Sequence, residues 1–263
     1  MTQLTTKEKG IIDYLFEAEK DAREVVKVTD EFPDLTIEEA YEIQVGLLAR
    51  RSEEIGTRQV GVKLGLTSKA KQEMMGVNEA IYGYLHNDML ALEWEPIQLS
   101  GLIHPKVEPE IAFLLAEDLQ GENITVEDVL KATKYVAPAL EVIDSRFKDF
   151  RFTLVDVVAD NCSSSKFIVG SKWVSPHAID LANIGMVMSK NGEVAQTGSS
   201  AAVLGHPAEA IAWAVKQLAL QGKGLKNGEI VLSGAMSEAI AFGPGDSVIA
   251  EFDGLGSVSM YCK

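Results

Sequence analysis

The sequence contains few cysteines, and this scarcity excludes a fold held together by disulfides. Only Cys162 and Cys262 occur among 263 residues, which fits a reducing cytoplasm with each thiol buried as a small apolar side chain. The four histidines show none of the close spacings that are typical of zinc ligands. We therefore expect a cytoplasmic protein without a zinc site.

Long apolar runs and an excess of basic residues are also missing. Charged residues interrupt every apolar run well before the roughly 20 residues that span a bilayer, and the stretch MTQLTTKEK has no apolar signal core. The formal net charge of -15 argues against nucleic-acid binding, which depends on Lys and Arg neutralising phosphates. It also repels anionic substrates unless a cation receives them. We expect neither a membrane nor a nucleic acid as a partner.

The first part of the chain has a helical pattern. Apolar residues recur at near-helical intervals between Leu4 and Val28. Thr36 and Glu39 have the spacing of a capping box, which predicts a helix running towards Gly56. Later helices are predicted at 68–75, 125–135 and 207–221, with a short helical turn at Ser175-Pro176.

Beyond residue 60, short strands dominate. The alternating stretch 60–66 is the first, and Asn191-Gly192 predicts a hairpin turn. Further apolar runs predict strands at 110–115, 140–143, 166–169, 185–190, 229–233, 247–252 and 257–261. Because helices and strands do not alternate regularly, a doubly wound parallel sheet is disfavoured. We predict an α+β fold with a helical N-terminal region (1–60) on a mixed, β-rich core (61–263).

Acidic residues inside apolar strands are the main chemical signal. Glu108 and Glu110 are two positions apart and therefore point to the same face of a strand, and Glu141 lies in a second apolar run. Carboxylates are seldom buried unless they are paired or bind a metal, and an all-oxygen set suits Mg²⁺ or Mn²⁺. Two alternatives stay open: a solvent-facing strand, or a salt bridge from Glu141 to Lys63 or Arg146.

Other residues have a role that the pattern leaves open. Lys63 lies in the middle of a strand, where burial lowers the pKa of an amine unless an acid pairs with it; the alternative is a surface lysine with a packed stem. The polar stretch 160–166 is either a ligand-binding loop or an ordinary turn. Asp144 is either a partner of Glu141 or a cap of the next segment, and His206 is expected to cap or pack rather than to catalyse.

Seven ordered motifs connect these residues to a known family. They are VGVKLGLTS (60–68), MGVNEAIYGYL (75–85), IHPKVEPEI (103–111), EVIDSR (141–146), VADNCS (158–163), GSSAAVLGHP (198–207) and GLGSV (254–258). In this order they resemble the 2-hydroxypentadienoate hydratase and 4-oxalocrotonate decarboxylase family of meta-cleavage catabolism, which lies within the fumarylacetoacetase-like superfamily. The resemblance implies a fumarylacetoacetase-like core.

The resemblance also implies a set of site residues. It implies that Mg²⁺ or Mn²⁺ is held by Glu108, Glu110 and Glu141. It further implies Lys63 as an active-site residue, with Asp160 and Ser163 as catalytic residues near the substrate.

Within the family, three motifs favour the decarboxylase branch. They are Gly65-Leu66-Thr67-Ser68, Ile81-Tyr82-Gly83 and His104-Pro105-Lys106, whereas Ser237 stands where threonine is expected. The implied reaction is decarboxylation of the oxo-dicarboxylate 2-oxohex-3-enedioate to 2-oxopent-4-enoate or its enol. A cation is expected near the second carboxylate of the substrate. The sequence does not rank the candidates for it, which are Lys63, Lys106 and Lys166.

The resemblance leaves two alternatives to decarboxylation. One is the sister reaction, hydration of 2-hydroxypenta-2,4-dienoate, which would use the same metal. The other is a metal-dependent small-ligand binding protein without turnover. A homo-oligomer is also implied, with the sister hydratase as a possible protein partner.

Overall fold

The computed structural model describes residues 4–263, without the side chains of residues 74 and 75, and its helices lie against two β-sheets. The helices are α1 (Thr6–Lys20), α2 (Val28–Glu31), α3 (Ile37–Ile55), α4 (Lys69–Met75), α5 (Val126–Ala132), α6 (Leu154–Ala159) and α7 (Pro207–Leu220). The strands are β1 (Gln59–Gly65), β2 (Ile81–His86), β3 (Leu90–Ala91), β4 (Lys106–Leu115), β5 (Thr133–Ile143), β6 (Ser164–Val169), β7 (Gly185–Lys190), β8 (Glu193–Ser199), β9 (Ile230–Leu232), β10 (Ile240–Ala241), β11 (Ser247–Phe252) and β12 (Gly256–Tyr261). The predicted α+β class is confirmed.

Local capping signals fix the N-terminal helices. The predicted capping box of Thr36 and Glu39 begins α3, and Gly56 ends it in the left-handed conformation with φ 71°. The periodic stretch 4–28 is a single helix only as far as Lys20, because the chain turns at Ala22, where φ is 46°. Within 4–263, no helix is long and apolar enough to cross a bilayer.

The larger sheet has eight strands in the order β2-β1-β9-β4-β5-β6-β3, with β10 beside β4. Its pairs are antiparallel except β1 with β9 and β3 with β6. The smaller sheet has the order β12-β11-β7-β8, and its β7–β8 turn is the predicted Asn191-Gly192 hairpin, with φ 53° and 84°. This mixed topology agrees with the predicted absence of a doubly wound parallel sheet.

The central antiparallel strands β4 and β5 are longer than predicted. Strand β4 begins at Lys106 and β5 at Thr133, because backbone pairing continues past the acids and prolines that interrupt the apolar pattern. Pro109 is tolerated inside the sheet, where its carbonyl accepts a hydrogen bond from the Met236 N–H. Helix α5 ends at Ala132 rather than near Tyr135, since the chain there already pairs with β4. Strands β2, β3, β8 and β10 were not among the predicted strands.

Apolar packing surrounds the larger sheet. One cluster joins it to the smaller sheet and α7, and a second joins α1 and α3 to α6 and to Phe147. A third, smaller cluster consists of Leu85, Met89, Ala112, Ala139, Phe167 and Leu232. Ala112 and Ala139 share the sheet face of Glu110, because one is two positions along β4 and the other lies directly opposite. The β4–β5 acids therefore lie beside an apolar surface.

Candidate metal centre

Three glutamates converge on the central antiparallel strands β4 and β5. Glu108 lies directly opposite Glu141 in the β4–β5 register, and Glu110 is two positions further along β4. One carboxylate oxygen from each lies within 4.8 Å of the other two. Their exposed fractions are 8%, 0% and 0% in the order 108, 141, 110. The alternative of a solvent-facing strand is therefore wrong.

Glu110 is held by backbone that only glycine can provide. The Gly234 N–H donates a 2.7 Å hydrogen bond to Oε2 of Glu110. Gly234 has φ 109°, and a Cβ at this position would overlap Oγ1 of Thr67. Because residue 234 has no side chain, the turn after β9 can lie close to both Glu110 and Thr67.

Lys63 is buried in the same cluster. Its Nζ lies 3.0 Å from Oε2 of Glu141 and donates a 3.1 Å hydrogen bond to the carbonyl oxygen of Cys162. Burial is the largest single effect and lowers the pKa of Lys63, but the negative charges of Glu141, Cys162, Glu108 and Glu110 together outweigh it, so the pKa is raised overall. Of the alternatives for Lys63 and Glu141, the surface lysine is wrong and the Lys63–Glu141 salt bridge is confirmed.

The three carboxylates carry more negative charge than their neighbours neutralise. Burial and the nearby charge of Glu141 raise the pKa of Glu110 well above its usual value. Burial also raises the pKa of Glu141, against the opposing effect of Lys63. Oε1 of Glu110 and Oε1 of Glu141 are buried without a hydrogen-bond partner among the described residues. An all-oxygen set with unsatisfied, charge-rich acceptors fits a hard divalent cation.

Lys71 is a member of the site that the sequence did not single out. Its Nζ lies 2.8 Å from Oε1 of Glu108. Burial acts in the opposite direction, but the ammonium groups of Lys71 and Lys63 hold the pKa of Glu108 below its usual value. The Ser68 cap was the one sequence feature that could have drawn attention to Lys71, because it places this residue in the first turn of α4 directly after β1. It does not predict that the Lys71 side chain reaches Glu108 on β4.

A left-handed turn positions the carbonyl group beside Lys63. Asn161, Cys162 and Ser163 have φ values of 48°, 53° and 55°. The Asn161 side chain accepts from the Tyr84 N–H at 2.8 Å and donates to the Tyr84 carbonyl at 3.0 Å. Oγ of Ser163 is buried without a hydrogen-bond partner among the described residues. The stretch 160–163 is therefore a strained turn against the site, and the catalytic role of Ser163 stays a prediction.

Asp160, at the start of this turn, is paired with Arg146. Its Oδ1 accepts from Nε of Arg146, and its carbonyl oxygen accepts from Nη2 at 2.6 Å. Burial raises the pKa of Asp160 to about 7, against the opposing charge of Arg146. Arg146 is therefore the partner of Asp160 rather than of Glu141. The catalytic role of Asp160 stays a prediction.

The remaining candidates have structural partners. Asp144 accepts hydrogen bonds from the backbone N–H groups of Ile103 and His104 and so anchors the segment before β4. His206 caps α7, as predicted, by accepting from the Ala208 N–H through Nδ1 at 3.0 Å. Both cysteines are free and buried, as expected.

Two lysines that were candidates for a substrate contact are engaged elsewhere. Nζ of Lys106 lies 4.0 Å from the centroid of the Phe150 ring. Nζ of Lys166 donates a 3.0 Å hydrogen bond to the carbonyl oxygen of Asp88. Ser237, the position that differs from the family pattern, donates from Oγ to the Glu238 carbonyl at 3.2 Å.

Comparisons with known proteins identify the family. A sequence profile of the fumarylacetoacetate hydrolase C-terminal region matches residues 60–260. The chain is 42% identical to a 4-oxalocrotonate decarboxylase of Pseudomonas putida over 250 residues, 95% of this chain and 94% of the relative. It is also 42% identical to a 2-hydroxyhexa-2,4-dienoate hydratase of Comamonas testosteroni over 248 residues, 94% of each chain.

A solved structure agrees with these sequence relatives. The 4-oxalocrotonate decarboxylase from Pseudomonas putida G7, complexed with magnesium and adipate, superposes with a TM-score of 0.95 at 39% identity, over 99% of both chains. The chain therefore belongs to the fumarylacetoacetate hydrolase family of α+β enzymes. Within that family it is similar to decarboxylases and hydratases of aromatic meta-cleavage catabolism.

Proposed function

We propose that this protein is a metal-dependent lyase that decarboxylates 2-oxohex-3-enedioate to 2-oxopent-4-enoate, or its enol, and CO₂. The observation that carries the proposal is the buried set of three carboxylates with unpartnered oxygens. Its support from relatives is the similarity to several 4-oxalocrotonate decarboxylases, one of them at 48% identity over 225 residues. The same relatives support the meta-cleavage pathway as its context.

Glu108, Glu110 and Glu141 would hold a divalent cation, Mg²⁺ or Mn²⁺. The oxygen-only ligand set and the surplus of negative charge support this assignment. So do the magnesium and calcium complexes of the structure relatives from Pseudomonas putida G7. When bound, such an ion supplies Lewis-acid stabilisation for the oxyanion that develops at C2 as the C6 carboxylate leaves.

Residues of the chain would exclude water from the site and orient the substrate. One cross-strand neighbour each of Glu141 and Lys63 is apolar: Phe167 lies opposite Glu141 on β6, and Leu232 opposite Lys63 on β9. Low polarity strengthens each charge interaction in the site. Lys63, fixed by Glu141 and the Cys162 carbonyl, would hold substrate negative charge or deliver a proton to the dienolate that remains after CO₂ leaves, at C3 for the 2-oxo product or at the C2 oxygen for the enol.

Hydration is the second candidate, because hydratases match this chain as closely as several of the decarboxylases do. The sister hydratase would stabilise a similar dienolate with the same three carboxylates. The third candidate, a binding protein without turnover, lacks support from any of the named relatives. Release of CO₂ tells the two reactions apart, because decarboxylation produces it and hydration does not.

One assay separates the candidates. Purified protein with Mg²⁺ is given 2-oxohex-3-enedioate and, separately, 2-hydroxypenta-2,4-dienoate. We expect CO₂ release from the first substrate and slow or no hydration of the second. Glu110→Gln should abolish the release, whereas the matched control Glu193→Gln, an exposed acid on β8, should retain it. Hydration without CO₂ release would assign the hydratase reaction, and inactivity on both would leave only ligand binding.

We also propose a cytoplasmic homo-oligomer that can associate with the sister hydratase. The paucity of cysteines and the family resemblance support this part of the proposal. Light scattering on the purified chain tests the oligomer, and co-purification with a co-expressed hydratase tests the association. A monomer that elutes apart from the hydratase would contradict both.

A further inference from the structure

We propose that Lys71 is the specificity-determining cation that recognises the second carboxylate of the substrate. This inference rests on the proposed decarboxylase function and deepens it. It assigns this contact to Lys71 instead of Lys63, Lys106 or Lys166, the three candidates from the sequence. It also assigns Lys71 a role in two states: partner of Glu108 without metal, and substrate contact with metal.

The position of Lys71 is fixed by the start of α4. Oγ of Ser68 accepts from the Lys71 N–H at 3.2 Å, and Nε2 of Gln72 donates to the Leu66 carbonyl at 2.9 Å. These bonds tie the first turn of α4 to the end of β1, the strand that carries Lys63. The Lys71 ammonium therefore reaches the carboxylates from outside the sheet, while Lys63 reaches them from within it.

The contact between Lys71 and Glu108 is one that a divalent cation would weaken. Both need the same carboxylate, and a bound cation draws electron density away from the oxygens it shares. The Lys71 side chain is 24% exposed, whereas that of Lys63 is 3% exposed. Lys71 therefore has room to turn towards a ligand, whereas Lys63 is enclosed by Glu141 and Cys162.

The other lysines are less suited to the second carboxylate. Lys63 is committed to Glu141, Lys106 packs over the Phe150 ring, and Lys166 donates to a carbonyl on the β2–β3 connection. Of these four, Lys63 and Lys71 have acidic partners that are candidate metal ligands, but Lys63 is also held by the Cys162 carbonyl oxygen. Lys71 is therefore the one that metal binding would free.

A pair of ligands that differ only in the second carboxylate tests the inference. Binding of 2-oxoadipate and of 2-oxohexanoate is measured at one saturating Mg²⁺ concentration for the wild type, Lys71→Gln and Lys106→Gln. Lys106→Gln is the matched control, because it removes an ammonium two positions from Glu108 on the same strand. We expect the wild type and Lys106→Gln to prefer 2-oxoadipate by about tenfold or more, equivalent to about 1.4 kcal/mol. In Lys71→Gln the preference should fall within about twofold, since only the charged contact is removed.

A second readout without organic ligand excludes a merely structural role. Mg²⁺ titration should give equal or tighter binding to Lys71→Gln than to the wild type, because the competing ammonium is gone. Weaker Mg²⁺ binding together with an equal loss of both ligands would overturn the inference and make Lys71 a support for Glu108. A preference that persists in Lys71→Gln would also overturn it. Equal binding of both ligands by the wild type would instead contradict the decarboxylase proposal on which the inference rests.

Discussion

Two buried ionic clusters lie close together in this fold and differ in their balance of charge. Arg146 and Asp160 form a one-to-one pair in which the guanidinium also bonds the Asp160 carbonyl. The glutamate cluster has three buried carboxylates, and its only fully buried cation within 4–263 is Lys63. The first cluster is neutral within the chain, whereas the second sets the ammonium groups of Lys63 and Lys71 against three carboxylates. Burial alone therefore does not distinguish the two clusters, but the balance of charge does.

The balanced pair should be essential to stability. Arg146→Met leaves the Asp160 carboxylate buried without its partner, which typically costs about 3–5 kcal/mol. The double variant Arg146→Met/Asp160→Leu should recover most of that loss, because no lone charge is left behind. Chemical denaturation of the three proteins measures the difference. Equal stability of the wild type and Arg146→Met would remove the contrast between the clusters.

Lys63 should matter more to turnover than to metal binding. Lys63→Ala removes the cation that faces Glu141 and the Cys162 carbonyl, and it leaves all three carboxylates in place. We expect decarboxylation to fall on the order of 100-fold, equivalent to about 2.7 kcal/mol, with the ion retained. Single-substrate kinetics and Mg²⁺ titration of the variant check this. A wild-type rate with lowered thermal stability would make Lys63 a structural residue, like Arg146.

The left-handed turn should be sensitive to a single methyl group. In Gly83→Ala the added Cβ would lie 2.7 Å from the Asn161 carbonyl oxygen and push the turn, with the Cys162 carbonyl, away from Lys63. Overpacking of this kind costs about 1–3 kcal/mol, and activity should fall with stability. Gly101→Ala is the control, since its Cβ would have no neighbour within 4 Å. Identical unfolding curves and rates for the two variants would refute the positioning role of the turn.

The smallest predicted effect is a pH dependence of the metal-free protein. The folded pKa of Glu110 lies above its unfolded value, so between the two values the folded state binds more protons than the unfolded state. Stability should therefore fall as pH rises through that interval, by at most about 1.4 kcal/mol per pH unit for one group. Denaturation curves of Glu110→Gln should lack this contribution. If stability changed with pH equally in the wild type and Glu110→Gln, the pH dependence would come from a group other than Glu110.

Sequence patterns predicted the parts of this fold that local chemistry determines. The capping box at Thr36, the left-handed Gly56 and the Asn191-Gly192 hairpin depend on residues that are neighbours in the chain. The convergence of Glu108 with Glu110 followed from the strand period alone. The lengths of β4 and β5 were underestimated because acids and prolines interrupt their apolar pattern. Hydrogen bonding between the two backbones continues through these residues.

The sequence did not predict which charged side chains pair with each other between distant elements of the fold. Glu141 had two candidate cations, and only packing placed Lys63 against it and Arg146 against Asp160. Lys71 was missed because 37 residues separate it from Glu108 in the chain, and no periodicity relates a helix turn to a strand. Distances between elements, rather than residue types, therefore decided these contacts.

The most direct test of the metal centre is a calorimetric titration of the metal-stripped protein with Mg²⁺ and with Mn²⁺. One ion should bind per chain in the wild type. Glu110→Gln should weaken binding at least about 100-fold, equivalent to about 2.7 kcal/mol, and Glu193→Gln should leave it unchanged. Binding to Glu110→Gln with the wild-type affinity would contradict the assignment of the three carboxylates as the metal centre.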